Sequence, residues 1–247
     1  MMQAHFRFYE ELNDFLPPEK QKTTFVHFFK DRASIKDMIE AIGVPHTEVD
    51  LILVNGRAVD FSYIVQDNDR VSVYPVFESL DISAVTELRA RPLREPKFIL
   101  DVHLGKLAHH LRLLGFDTIY RNNFTDEELA RISSVGKRIL LTKDRNLLKR
   151  ALVTHGCYVR ETSPKKQLLE VLKRFDLFKS VAPFSRCLDC NTPLQEVAKD
   201  EITHQLPPKV REQFDEFVRC PVCDKIYWPG SHYEKMKKFV QEVTGNA

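Results

Sequence analysis

Two groups of residues in this chain have types and spacings that could do chemistry. Cys187, Cys190, Cys220 and Cys223 form two C-x-x-C pairs, C-L-D-C and C-P-V-C, with 29 residues between them. Two such pairs complete one tetrahedral zinc site, and four thiolates leave no position open for water, so the expected Zn²⁺ is structural. Asn191 and Asp224 directly follow the pairs, and both residue types tolerate the positive φ that a tight knuckle turn needs. The second group is three carboxylates, Asp101, Asp126 and Asp144. Asp101 follows the apolar run FIL, and Asp144 lies two residues after RILLT. Ligands of an open parallel sheet bind beyond the carboxyl ends of its strands, so acids from three crossovers are expected to meet there. Such a cluster repels itself unless a hard divalent cation neutralises it, and Mg²⁺ or Mn²⁺ takes oxygen ligands of this kind. An ion held so can activate water and stabilise the charge that builds on a phosphodiester. Glu127 is an additional or replacement acid. Asp126 and Asp144 also suit helix starts, where capping and the helix dipole favour carboxylates, whereas Asp101 has no capping box behind it.

The chain of 247 residues carries a net charge of only +2, but the charge is unevenly spread. Residues 96 to 180 hold 17 basic and 9 acidic side chains, a net of +8, between two segments that are slightly acidic. A basic segment around an acid-held metal site suits a polyanionic partner. Lys106, Arg112, Lys143 and Arg145 are the residues expected to hold a phosphate backbone, with Lys149 and Arg150 nearby. His103, His109 and His110 read as surface or packed helix residues, because nothing pairs them with a cysteine or carboxylate at ligand spacing. Cys157, the fifth cysteine, reads as a buried strand residue. Cysteines paired for a metal, no apolar run long enough to span a bilayer and no signal-peptide core at the start point to a cytoplasmic protein.

The positioning elements follow from local pattern. Residues 4 to 10 and 23 to 29 are aromatic and β-branched and read as a hairpin or closely linked strand pair. Ser34 precedes IKDMIEAIG, whose apolar residues fall at helical spacing and whose Gly43 is placed as a C-cap. Strands follow at DLILVNG and DRVSVYPVF. This order of strand, strand, helix, strand, strand resembles the ubiquitin-like β-grasp fold, particularly its sulfur-carrier branch. Sulfur carriers end in a free Gly-Gly, whereas this segment continues through FESLDIS, so docking of a protein partner is the expected use. Residues 84 to 96 read as a charged, proline-containing linker. From 97 to 180, short strands at KFIL, DTIY, RILLT and CYVRE alternate with helices, the pattern of a mainly parallel sheet. Thr125 to Glu128 and Ser231 to Glu234 read as capping boxes, and Ser163-Pro164 as a helix start. Between the cysteine pairs a helical insert is expected around KVREQFDEFV. Tyr227, Trp228 and Tyr233 read as packing residues, with stacking on bases as the alternative.

FILDVHLGKLAHHLRLLGFDTIYRNN, FTDEELARI and KRILLTKDRNLLKR together resemble the PIN-like RNase family named for the C-terminal domain of the Mut-seven exonuclease, over residues 97 to 240 and including the four-cysteine tail. The whole length resembles bacterial proteins that join a ubiquitin-like domain to this RNase domain. The resemblance implies an α/β, three-layer PIN-like domain at 97 to 180, a β-grasp domain at 1 to 83 and a zinc-ribbon module at 181 to 247. It also implies a metal-dependent endoribonuclease with the acid site carried onto Asp101, Asp126 and Asp144. Classical PIN nucleases often add a fourth acid late in the fold, for which Glu161 and Asp176 are the residues present. The competing expectation is a non-catalytic RNA-binding or adaptor protein using the zinc module and β-grasp domain.

Overall fold

A computed structural model describes residues 1–75 and 96–245. The end of the expected first domain and nearly all of the expected linker lie outside the described residues. In chain order the first strands and helix are β1 (Met2–Phe8), β2 (Phe25–Phe29), α1 (Ile35–Ile42), β3 (Val49–Val54), β4 (Arg57–Ala58) and β5 (Arg70–Pro75). Next come β6 (Phe98–Leu100), α2 (Gly105–Leu113), β7 (Thr118–Ile119), α3 (Asp126–Gly136), β8 (Ile139–Thr142), α4 (Arg145–Leu148), β9 (Gly156–Tyr158) and α5 (Pro164–Arg174). The last part holds β10 (Gln195–Glu196), α6 (Lys199–Ile202), α7 (Pro208–Gln213), β11 (Val218–Arg219), β12 (Ile226–Tyr227) and α8 (Ser231–Thr244).

These elements gather into two compact units, Met1–Pro96 with Phe124–Tyr158, and Lys97–Asn123 with Val159–Ala247. The sequence expectation is a β-grasp domain, a PIN-like domain and a zinc-ribbon module in that order. A set of bonds from residues 14 to 48 onto residues 145 to 158, described below, ties the middle of the chain to its start.

The first unit is built on a five-stranded mixed sheet of order β2-β1-β5-β3-β4, in which β1 runs parallel to β5 and the other pairs are antiparallel. Ala4, Phe6 and Phe8 alternate inward along β1 and are buried, as a strand with one covered face requires. They pack with Ile35 and Ile39 of α1 and with Ile52 and Val73. The helix starts where expected, the Ser34 hydroxyl accepting from the Asp37 N–H at 3.1 Å, and stops at Gly43 with φ 126°. Asn55 and Gly56, both at positive φ, make the tight turn between β3 and β4 that an Asn-Gly pair favours. β1 and β2 are antiparallel neighbours but not a tight hairpin, since 3₁₀ turns at Glu10–Phe15 and Pro18–Lys20 fill the connection. This is the ubiquitin-like part. Residues 124–158 add α3, whose Thr125–Glu128 capping box forms as expected, and the parallel pair β8 and β9. Cys157 is buried in β9.

The second unit contains the parallel pair β6 and β7, with α2 against α5. Ser163 caps α5 and Pro164 occupies its first position. The cysteine-bearing end is a three-stranded antiparallel sheet of order β10-β11-β12. Helical turns α6 and α7 fill the insert between the cysteine pairs and bury Ile202 and Leu206 against Phe217. One expected cap does not form. Gly230, not Ser231, is the N-cap residue of α8 and no side chain caps it, because the helix begins one residue earlier than the box requires. Among the described residues no helix is long and apolar enough to cross a membrane.

Candidate metal centre and candidate active-site acids

The two C-x-x-C pairs close on one another. Cys187 Sγ lies 3.6 Å from Cys223 Sγ, and Cys190 Sγ lies 3.3 Å from Cys220 Sγ and 3.8 Å from Cys223 Sγ. A tetrahedron with Zn–S bonds of about 2.3 Å has S···S edges of about 3.8 Å, so the spacing suits an ion of that size. Asn191 and Asp224 adopt φ of 70° and 60°, the left-handed turn expected of both knuckles. The N–H groups of Asn191 and Asp224 return to the carbonyls of Cys187 and Cys220, both at 3.0 Å. Burial would raise the Cys190 thiol, but hydrogen bonds with Thr192, Cys220 and Cys187 bring it down to about 6. A backbone hydrogen bond at Lys225 favours the Cys223 thiolate, yet burial and the neighbouring cysteines push it up to about 12. Four sulfurs this close cannot all ionise without a cation among them, so the donor set fits a soft divalent metal such as zinc. Among the described residues they are the one group of three or more His, Cys, Asp or Glu side chains placed to share an ion.

The knuckle pair is fastened to the rest of its unit by a set of side-chain hydrogen bonds. Asn191 Oδ1 accepts from the Thr118 N–H at 2.8 Å, and its Nδ2 donates to Asp117 at 2.7 Å. Arg186 donates to the carbonyls of Gly115 and Asn191, both at 2.9 Å. The Tyr227 hydroxyl sits 3.2 Å from Cys187 Sγ and accepts from the Leu188 N–H, and burial followed by that thiol raises its pKa. Arg112 corrects the expectation of phosphate binding. It is 6% exposed, and its guanidinium donates to the carbonyls of Thr118, Leu188 and Asp189 at 2.9, 3.0 and 2.7 Å. An arginine so engaged has no face left for an RNA backbone; burial lowers its pKa, while Cys187 and Cys190 act the other way. The aromatic residues pack as expected, with the Tyr233 ring tilted against Phe184 at 4.4 Å and Trp228 against the Phe217 cluster. They line a cleft of about 830 Å³ whose rim includes Glu196, Asp215 and Glu216.

The three acids are each fixed at the start of a helical turn. Asp101 follows β6, is buried, and accepts from the His103 N–H at 2.7 Å and from the His103 ring at 3.1 Å. It is therefore the N-cap of the turn Val102–Leu104, a capping role that the absence of a capping box in the sequence did not reveal. Asp144 follows β8 and caps α4, its Oδ1 accepting from the Asn146 and Leu147 N–H groups at 2.7 and 3.4 Å. Asp126 is the first residue of α3, exposed beside Glu127, with Arg150 at 3.9 Å. Asp101 belongs to the second unit, Asp126 and Asp144 to the first. Lys106 is exposed on α2, and Lys143 is partly buried next to Asp144. Arg145 lies over the rings of Phe15 and Tyr158.

The five-stranded mixed sheet, the parallel-stranded segment and the closed four-cysteine knuckle pair define an α/β protein with ubiquitin-like and PIN-like parts. Residues 96–240 match the Mut7-C RNAse domain and residues 1–81 match the Mut7-C ubiquitin family. The chain belongs to the Mut7-C RNAse domain family. No curated protein and no solved structure gives a significant match.

Proposed function

We propose that the protein is a metal-dependent endoribonuclease in which Asp101, Asp126 and Asp144 supply carboxylate oxygens to Mg²⁺ or Mn²⁺. The observation that carries this reading is that Asp101 and Asp144 each follow the carboxyl end of a parallel strand, within a chain segment that matches an RNAse family. A bound Mg²⁺ or Mn²⁺ ion supplies Lewis acidity and a water activated for attack on phosphorus. The chain's part is to orient the acids. The N–H bonds to Asp101 and Asp144 fix the direction of each carboxylate. Glu127 supports or replaces Asp126, and Lys106 and Lys143, with Arg145 beside them, offset the charge of the RNA backbone. The four cysteines are assigned a structural Zn²⁺ that keeps the knuckles folded against Arg112 and Asn191. The site of action is proposed to be the cytoplasm.

The test is cleavage of single-stranded and structured RNA with Mg²⁺ or Mn²⁺, comparing the natural chain with Asp144→Asn. Metal-dependent cleavage lost in the variant supports the assignment. RNA retention with no cleavage under any divalent ion, or equal cleavage by both proteins, overturns it, the former in favour of an RNA-binding adaptor.

A further inference from the structure

We propose that the ubiquitin-like domain is a built-in clamp on the turn that carries Asp144, with Arg145 and Lys149 as positioning residues; this rests on the reading of Asp144 as a metal ligand. The helix that Asp144 caps is only four residues long, Arg145–Leu148. A helix so short does not hold itself together in water and takes its conformation from what it packs on. It packs on β8 and β9, and the first 48 residues hold it and the chain that follows it through single side chains. The Arg145 guanidinium lies 5.0 Å from the centre of the Phe15 ring and 5.4 Å from that of Tyr158, and donates to the Asp14 carbonyl at 3.1 Å. Lys149 Nζ donates to the Glu40 carbonyl at 2.8 Å, near the end of α1. His46, buried, donates through Nε2 to the Val153 carbonyl at 2.9 Å, and its Nδ1 is 2.6 Å from the Glu40 carboxylate. Glu48 accepts from the Tyr158 N–H at 2.6 Å, and Phe15 meets Tyr158 edge-on at 5.5 Å.

These attachments share a direction. Each joins a residue of the ubiquitin-like domain to the stretch between Asp144 and the end of β9, and between them they reach both sides of α4. Two of the basic residues that charge counting assigns to RNA, Arg145 and Lys149, also donate hydrogen bonds to carbonyls of the same chain. The arrangement matches what a ligand-bearing turn requires, since a metal ligand is only as well placed as the groups behind it. A domain that resembles a carrier or docking module is, on this geometry, occupied in cis.

The experiment uses the full chain with Lys149→Met, Lys149→Arg and Phe15→Leu, the last keeping an apolar side chain in the core while removing the ring beneath Arg145. Amide hydrogen exchange is read over residues 144–158 and over β1 and β5, Mn²⁺ binding is read by calorimetry, and RNA cleavage is read as kcat and KM. The expected result is exchange at Asn146, Leu147 and Tyr158 faster by about tenfold, Mn²⁺ affinity weaker by about tenfold, unchanged KM, unchanged exchange in β1 and β5, and recovery in Lys149→Arg. Natural exchange at 144–158 in the Met and Leu variants overturns the clamp, and so does faster exchange with natural Mn²⁺ affinity. Asp144→Asn is the separate control. Cleavage and Mn²⁺ binding that survive this change remove the functional reading, and the clamp's role in catalysis with it, whatever the clamp variants do.

Discussion

Replacing Arg112 by methionine separates the structural role seen for this side chain from the RNA contact that its charge suggests. The three carbonyls it serves would lose their donor. Two of those bonds are buried and the third, to Asp189, is partly exposed. A buried acceptor left without a partner costs about 1–3 kcal/mol. Taking about 2 for each buried carbonyl and 1 for the wetter one gives about 5 kcal/mol, and methionine's freedom from the desolvation cost of a guanidinium returns part of it. The net expectation is a loss of about 3–5 kcal/mol, a large share of the ~5–15 kcal/mol that usually holds a folded protein together. Urea unfolding followed by tryptophan fluorescence is well suited, because Trp228 is the single tryptophan and belongs to the cysteine-bearing end. A destabilisation below about 1 kcal/mol would refute the reasoning. So would a variant that unfolds as the natural chain does but binds RNA with a shallower salt dependence, since that outcome is the mark of a lost phosphate contact.

Three further outcomes are expected. Gly115→Ala should destabilise by about 3 kcal/mol or more, because Gly115 has φ 92° and an added Cβ would clash with the Ala182 carbonyl oxygen; thermal melting against Gly56→Ala, whose added Cβ meets nothing, separates the clash from the shared strain of positive φ. Chelating zinc, or Cys220→Ser, should loosen the knuckles and expose Trp228 before β1 and β5 respond, a sequence that hydrogen exchange can order. Burial lowers the His110 pKa from its ordinary 6.5, so the unfolded chain binds the extra proton first and stability is lost as pH falls from about 6.5 toward the folded value. His110→Phe, which keeps a ring against Phe239, should flatten that slope between pH 7 and 5, and an unchanged slope in the variant would contradict it.

The cysteine site was legible because its chemistry is written in short spacings: C-x-x-C twice, each followed by a residue able to take positive φ. The β-grasp part was legible from period and punctuation, with Ser34 and Gly43 doing in three dimensions what their types favour. Arg112 was misread because charge is visible in a sequence while burial is not; only the fold reveals that its guanidinium faces carbonyls 76 and 77 residues away. Asp101 was seen as an acid after a strand, but its capping of a 3₁₀ turn depends on a backbone path that helical periodicity does not encode. The ties between the first domain and residues 149 to 158 were illegible for a related reason. They rest on single side chains, His46, Glu48 and Lys149, whose partners lie more than a hundred residues away.

Glu48 carries one more consequence. β9 pairs with β8 along one edge, and the Tyr158 N–H on its other side is taken by the Glu48 carboxylate. An unpaired strand edge is a template on which a second chain can grow a sheet. Here a buried carboxylate from the first domain takes one N–H of that edge, so a polypeptide cut at residue 96 would expose it together with Tyr158, which packs against the core of the first domain. Aggregation during expression of the isolated RNAse half is therefore the expected behaviour, and solubility should return when residues 1–96 are supplied.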